Sequence, residues 1–139
     1  IALPFLALMM FASAAIASDT NLTFHGIAIQ GHDSVAYFTE GKPVLGDANL
    51  TATHDGAIYQ FASAEHKAVF EADPERYAPQ YGGYCASAAA QGAKAPIEPE
   101  QFTIADGKLY LNFNADVRER WSQDRDAYIG KADAYWASR

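Results

Sequence analysis

The chain carries one cysteine among its 139 residues. A lone thiol cannot close an internal bridge, so a disulfide-stapled scaffold is excluded. Runs of lysine and arginine are missing too. Lys and Arg number 10 against 17 Asp and Glu, for a formal net charge of −7. That balance argues against nucleic acid and anionic membrane surfaces as main partners. No low-complexity tract or long linker interrupts residues 18–139. No Cys-x-x-Cys or His-x-x-x-His spacing marks a zinc site, and no Gly-x-Ser-x-Gly marks a hydrolase elbow. No catalytic residue is assigned. Apolar residues are plentiful, at 50% with 13% aromatic. Disorder is therefore excluded, and the length suits one domain.

Charge is also absent from residues 1–17, where only Pro4 and Ser13 interrupt the apolar run. Ala15-Ile16-Ala17 before Ser18-Asp19 matches a signal-peptidase site. The expectation is a signal peptide over 1–17, its basic n-region preceding Ile1, and a single folded domain over 18–139. The alternative is a retained anchor, for which the run is marginal in length. Either way the folded part is expected outside the cytoplasm, periplasmic or secreted, with no membrane span once the signal is cleaved.

Two Asp-Gly pairs stand between alternating runs and favour type I′ hairpin turns. At Asp55-Gly56 the register pairs His54 with Ala57, Ala52 with Tyr59, and Leu50 with Phe61. At Asp106-Gly107 it pairs Ile104 with Leu109 and Phe102 with Leu111. Phe113 extends that apolar face, and Thr103, Tyr110 and Asn112 take the other. Two such hairpins predict one small antiparallel sheet packed on one side by short helices, an α+β fold.

The helix signals are local. Ser63 is the expected N-cap of Ala64–Ala72, and Asp73-Pro74 opens a short turn through Tyr77. Residues 84–91 form an Ala-rich helix ended by Gly92. Asn114 caps a last helical region, which Gly130 is expected to divide.

Several strings resemble a known family. They are Asp33-Ser34-Val35-Ala36-Tyr37-Phe38, Tyr59-Gln60-Phe61-Ala62-Ser63-Ala64-Glu65-His66 and Asp73-Pro74-Glu75-Arg76-Tyr77-Ala78-Pro79-Gln80-Tyr81-Gly82-Gly83-Tyr84-Cys85-Ala86. Leu109-Tyr110-Leu111-Asn112, Trp121 and Ala132-Asp133-Ala134-Tyr135-Trp136 follow. Together they look like an exported YHS-domain protein over about residues 26–136. The family's Tyr, Ser and His fall at Tyr59, Ser63 and His66. The resemblance implies a likeness to cysteine-rich metal-binding modules. Where metal-binding relatives carry Cys after the Tyr-x-Phe pair, this chain has Ala62, which removes a soft ligand.

Cys85 is the sharpest chemical candidate. In the first turn of a predicted helix, dipole and free amides would favour a thiolate, a nucleophile or soft metal ligand. Its plain alternative is a small buried hydrophobe. His66 is read as a metal ligand facing Cys85, or as a histidine tied to the fold. Gly82 and Gly83, followed by Tyr84, form either an anion cradle or a tight turn. Tyr37, Tyr59, Tyr77, Tyr81, Tyr84, Tyr110 and Trp121 line a pocket or fill the core. Asp33 is expected to cap the turn that follows it, and Asp124, Asp126 and Asp133 to form a solvated face. His25 and His32 are expected at surface or turns, and His54 is the histidine of these three expected to point inward. The expectation is a metal-binding module holding copper or zinc at Cys85 and His66, its oligomeric state open. The alternatives are a structural or partner-binding domain and a thiol-dependent redox protein.

Overall fold

The computed structural model describes residues 19–139, so the leader expected over 1–17 lies outside the described residues. The fold is α+β. In chain order the elements are α1 (Ser34–Thr39), β1 (Asp47–His54), β2 (Ala57–Phe61), α2 (Ala64–Ala72), α3 (Pro74–Tyr77) and α4 (Ala86–Ala90). They continue with β3 (Phe102–Ala105), β4 (Lys108–Leu111), α5 (Ala115–Gln123) and α6 (Arg125–Ser138). Two 3-10 turns, Ile29–Gly31 and Gln80–Gly83, punctuate the path. Among the described residues no helix is long and apolar enough to cross a membrane.

The strands form two separate two-stranded ribbons, β1-β2 and β3-β4, instead of the single sheet expected. The reason lies at the edges. The free side of β2 is bridged in parallel by Ile27, with Ala28 N–H donating to the Ile58 carbonyl at 2.9 Å. The corresponding side of β4 is bridged in parallel by Cys85 at Leu111. A capped edge offers no ladder to the other ribbon. The ribbons meet through side chains, and Tyr59, Phe61, Leu109 and Leu111 share one core cluster with Val35, Tyr37 and Phe70.

Asp55 and Asp106 both sit at positive φ (48° and 51°) ahead of Gly56 and Gly107, as type I′ turns require. The β3-β4 register pairs Phe102 with Leu111 and Ile104 with Leu109. In β1-β2, Ala52 faces Tyr59, but an irregularity between Asp47 and Thr51 puts Asp47 opposite Phe61 in place of Leu50. Both sides of β4 are buried, contrary to the single apolar face expected. Tyr110 packs in a second cluster with Tyr81, Ala86, Ala89, Trp121 and Ala132, because α4, α5 and α6 cover what would have been the polar face. Phe113, expected to prolong the apolar side, lies beyond β4 and is exposed.

Three caps act as expected. Ser63 Oγ accepts from His66 N–H, Asn114 Oδ1 from Val117 N–H and Asp33 Oδ1 from Ala36 N–H. Asp73 precedes Pro74 without a side-chain cap bond. The break in the C-terminal region falls at Asp124 (φ −140°, ψ 45°), and Gly130 stays inside α6. The helix expected over 84–91 begins later. Tyr81, Gly82 and Gly83 all take positive φ, which holds the chain in a 3-10 turn until Tyr84, and Cys85 is the N-cap of α4.

That turn is packed from above by the start of the described chain. The Asn21 N–H donates to the Gly82 carbonyl at 2.8 Å, and a Cβ on Gly82 would overlap the Asp19 carbonyl oxygen. Left-handed backbone and missing space both demand glycine there. Gly82→Ala is expected to lower unfolding free energy by about 2–4 kcal/mol in urea titration, combining the left-handed penalty with the overlap.

Candidate functional site

The residues singled out from sequence are distributed over the fold. Cys85 is 1% exposed. Its N–H donates to the Ala95 carbonyl, its carbonyl accepts from Ala89 N–H, and its thiol donates to Asn112 Oδ1 at 3.5 Å. The same Asn112 oxygen accepts from Ser87 N–H at 3.1 Å, so one buried amide braces both sulfur and helix start. Cys85 underlies a shallow groove of about 360 Å³ between α4 and α5, in which His66 takes no part. Asn112 Nδ2 is buried with no hydrogen-bond partner among the described residues.

His66 faces the other way. Its Nδ1 lies 2.7 Å from Asp33 Oδ2, and its Nε2 lies 3.4 Å from Thr39 Oγ1. Asp33 is fully buried and accepts from three N–H groups: Ala36 at 3.1 Å, Ala62 at 2.9 Å and the His66 ring. One carboxylate thus joins the starts of α1 and α2 to the end of β2. Tyr59 lies in the core, Ser63 caps α2, and His66 completes this clasp. Among the described residues, Cys85 and His66 share no hydrogen-bond partner.

Gly82 and Gly83 present carbonyls, not amides, to the neighbouring segment: Asn21 N–H and Asn21 Nδ2 donate to them. The Asp19–Thr20 backbone fills the space over Gly82. Tyr84 stacks near Trp136, ring centroids 6.3 Å apart, with Lys94 Nζ 5.6 Å from its ring. Tyr37 donates to the Pro99 carbonyl at 2.8 Å and Tyr81 to Asp133 Oδ1 at 2.9 Å, which makes both structural. Burial and then the Asp133 bond push the Tyr81 hydroxyl up. Asp124, Asp126 and Asp133 are all exposed, the solvated face expected, and Asp133 in addition accepts the Tyr81 bond.

A larger groove, about 680 Å³, opens between the tip of the first hairpin, α3, the Gln80–Gly83 turn and the end of α6. Its walls include Asp19, His54, Asp55, Tyr59, Glu75, Tyr81, Trp136 and Arg139. Arg139 Nη1 pairs with Asp19 Oδ2 at 2.7 Å, its guanidinium lying over the Trp136 ring at 3.3 Å. The hydrogen bond from Arg139 holds the Asp19 carboxyl below its ordinary range, aided by Lys94. At the opposite end, His54 Nε2 lies 3.3 Å from both Asp55 Oδ2 and Glu75 Oε1. The His54 ring meets Phe70 edge-on at 5.9 Å and Tyr59 at 6.4 Å. Burial, then the charges of Asp55 and Glu75, raise the Tyr59 hydroxyl well above the ordinary tyrosine value.

The sequence pattern points His54 inward, but it marks Asp55 only as a turn former and Glu75 only as part of a resembling string. The adjacency His54-Asp55 at a hairpin tip is the one local signal of this cluster. Glu75 arrives from α3 with no spacing rule to announce it.

No family model, curated protein or solved structure matches this chain.

Asp33→Ala leaves three donors without their acceptor and is expected to cost about 3–5 kcal/mol of unfolding free energy in urea titration, with Asp33→Asn milder. Cys85 is expected to react with N-ethylmaleimide about 100-fold more slowly in the native protein than in denaturant, because modification must wait for local opening. Equal rates would contradict its burial.

Proposed function

We propose that this chain is a non-catalytic binding module, of the exported YHS-like type that its motifs and residues 1–17 suggest, and that it takes a small cationic ligand. The supporting observation is the sign and shape of the larger groove. Asp19, Asp55 and Glu75 contribute three carboxylates to its lining against one cationic side chain, Arg139, which is already paired with Asp19. Tyr59, Tyr81 and Trp136 supply aromatic surface beside those charges, a setting that attracts amines and metal ions. At about 680 Å³ the space lies within the usual range for small-ligand sites.

The reading differs in place from a copper or zinc centre at Cys85 and His66. A soft metal at Cys85 needs further donors, yet the sulfur is bonded to Asn112 and His66 to Asp33. A thiol-dependent redox role needs an accessible sulfur, and Cys85 is buried.

Trp136 lies in the groove wall and reports on it. Benzylamine, spermidine and zinc chloride should be titrated against its emission, with Trp136→Phe identifying the signal and benzoate as the anionic control. Saturable change with at least one cation, at a Kd below about 1 mM, and none with benzoate is the expected result. A flat response to all three cations, or equal binding of benzoate, would overturn the proposal.

A further inference from the structure

The His54 end of the groove has a more specific chemistry than the rest, and a metal site there deepens the cationic-ligand reading on which it rests. One ligand atom each from His54, Asp55 and Glu75 lies within 4.8 Å of the others. They reach that place from two elements, the tip of the first hairpin and α3. His54 closes β1, and its ring is set between Phe70 and Tyr59. Asp55 is the first turn residue, its backbone held at φ 48°. Glu75 sits in the first turn of α3, directly after Pro74.

An imidazole flanked by two carboxylates has a plain alternative, a protonated histidine bridging two acids. The two differ in what they satisfy. The His54 side chain is only 15% exposed, whereas Asp55 and Glu75 are 74% and 83% exposed and extend to the mouth of the groove. Separations of 3.3 Å are long for charge-assisted hydrogen bonds but suit donor atoms arranged around a common ion. Ligands at about 2.0–2.2 Å from a metal stand roughly 3–3.5 Å from one another in a tetrahedral set. One nitrogen and two carboxylate oxygens suit a first-row divalent ion better than copper(I), which prefers sulfur, or calcium, which prefers oxygen alone.

We propose that His54, Asp55 and Glu75 form a three-ligand site for a divalent ion of the zinc(II) or copper(II) class, its remaining coordination positions open to the groove. His54 Nε2 is the nitrogen that binds, so the ring must hold its proton on Nδ1. The two carboxylates neutralise the ion's charge.

The test is calorimetric titration of zinc chloride into the purified protein, followed by nitrogen-15 NMR of the histidine rings. The expected result is binding with a Kd of about 1–10 μM, a metal-induced shift at His54 Nε2, and at least 10-fold weaker binding in Glu75→Gln. Glu75 is exposed, so that variant tests the site without disturbing the core. His25→Ala and His32→Ala should bind as the parent does. No zinc binding at about 100 μM, unchanged affinity in Glu75→Gln, or a shift at His25 or His32 in place of His54 would overturn the site. If benzylamine or spermidine still changes Trp136 emission while zinc fails, the metal site falls and the cationic groove stands. If all three fail, both readings fall.

Discussion

A carboxylate sealed from water is tolerable only when hydrogen bonds replace its hydration, and Asp33 has three. That requirement fixes more than one side chain. To reach the same oxygens, the start of α1, the residue after β2 and the ring of His66 must converge at one point. The Ser63 cap sets where His66 lies on α2, and α2 delivers Phe70 onto Tyr59 and Phe61. The packing of the first ribbon against two helices is thus registered by one ionised group with little latitude for slippage. Tyr59, Ser63 and His66 all serve this registration, Tyr59 from the core and the other two from the polar side.

What is legible in the sequence is local. Asp-Gly turns declare themselves because few other residues accept two successive positive φ values. Ser63, Asn114 and Asp33 are legible as caps because capping is decided within a few residues. The number of sheets is not, since it depends on what occupies the far edge of each hairpin. Ile27 and Cys85 do so from distant parts of the chain. Nor is the covering of the second face of β4: alternation sets Tyr110 opposite the apolar face, and what buries this aromatic is α4 and α6 packing over that side.

Cys85 reads two ways in the sequence, as an activated thiol at a helix start or as a small buried hydrophobe, and its burial fits the second. The structure makes it the cap residue of a short helix, pinned by a bridge to Leu111 and by Asn112. Small size and low polarity are what this position uses. The glycines before it are spent on fitting the Asp19–Thr20 backbone, not on cradling an anion. Their outward carbonyls are electronegative, which suits them to amide donors and would repel a phosphate.

The groove inherits its character from that arrangement. Docking residues 19–21 over the Gln80–Gly83 turn brings Asp19 to Arg139, which lies across Trp136. The pairing removes Arg139 as a free cation from the acidic wall, so the field there is set by Asp55 and Glu75. The opposite wall is the first hairpin, whose position derives from the Asp33 clasp through α2 and Phe70. The two walls are therefore held by separate devices, an ion pair with its carboxylate open to water at one end and a buried carboxylate at the other. Exposed ion pairs contribute little and are weakened by salt, whereas a buried charge with three donors is expensive to disrupt. The hairpin end is consequently the more rigid of the two, and pre-organised donors belong on a rigid wall.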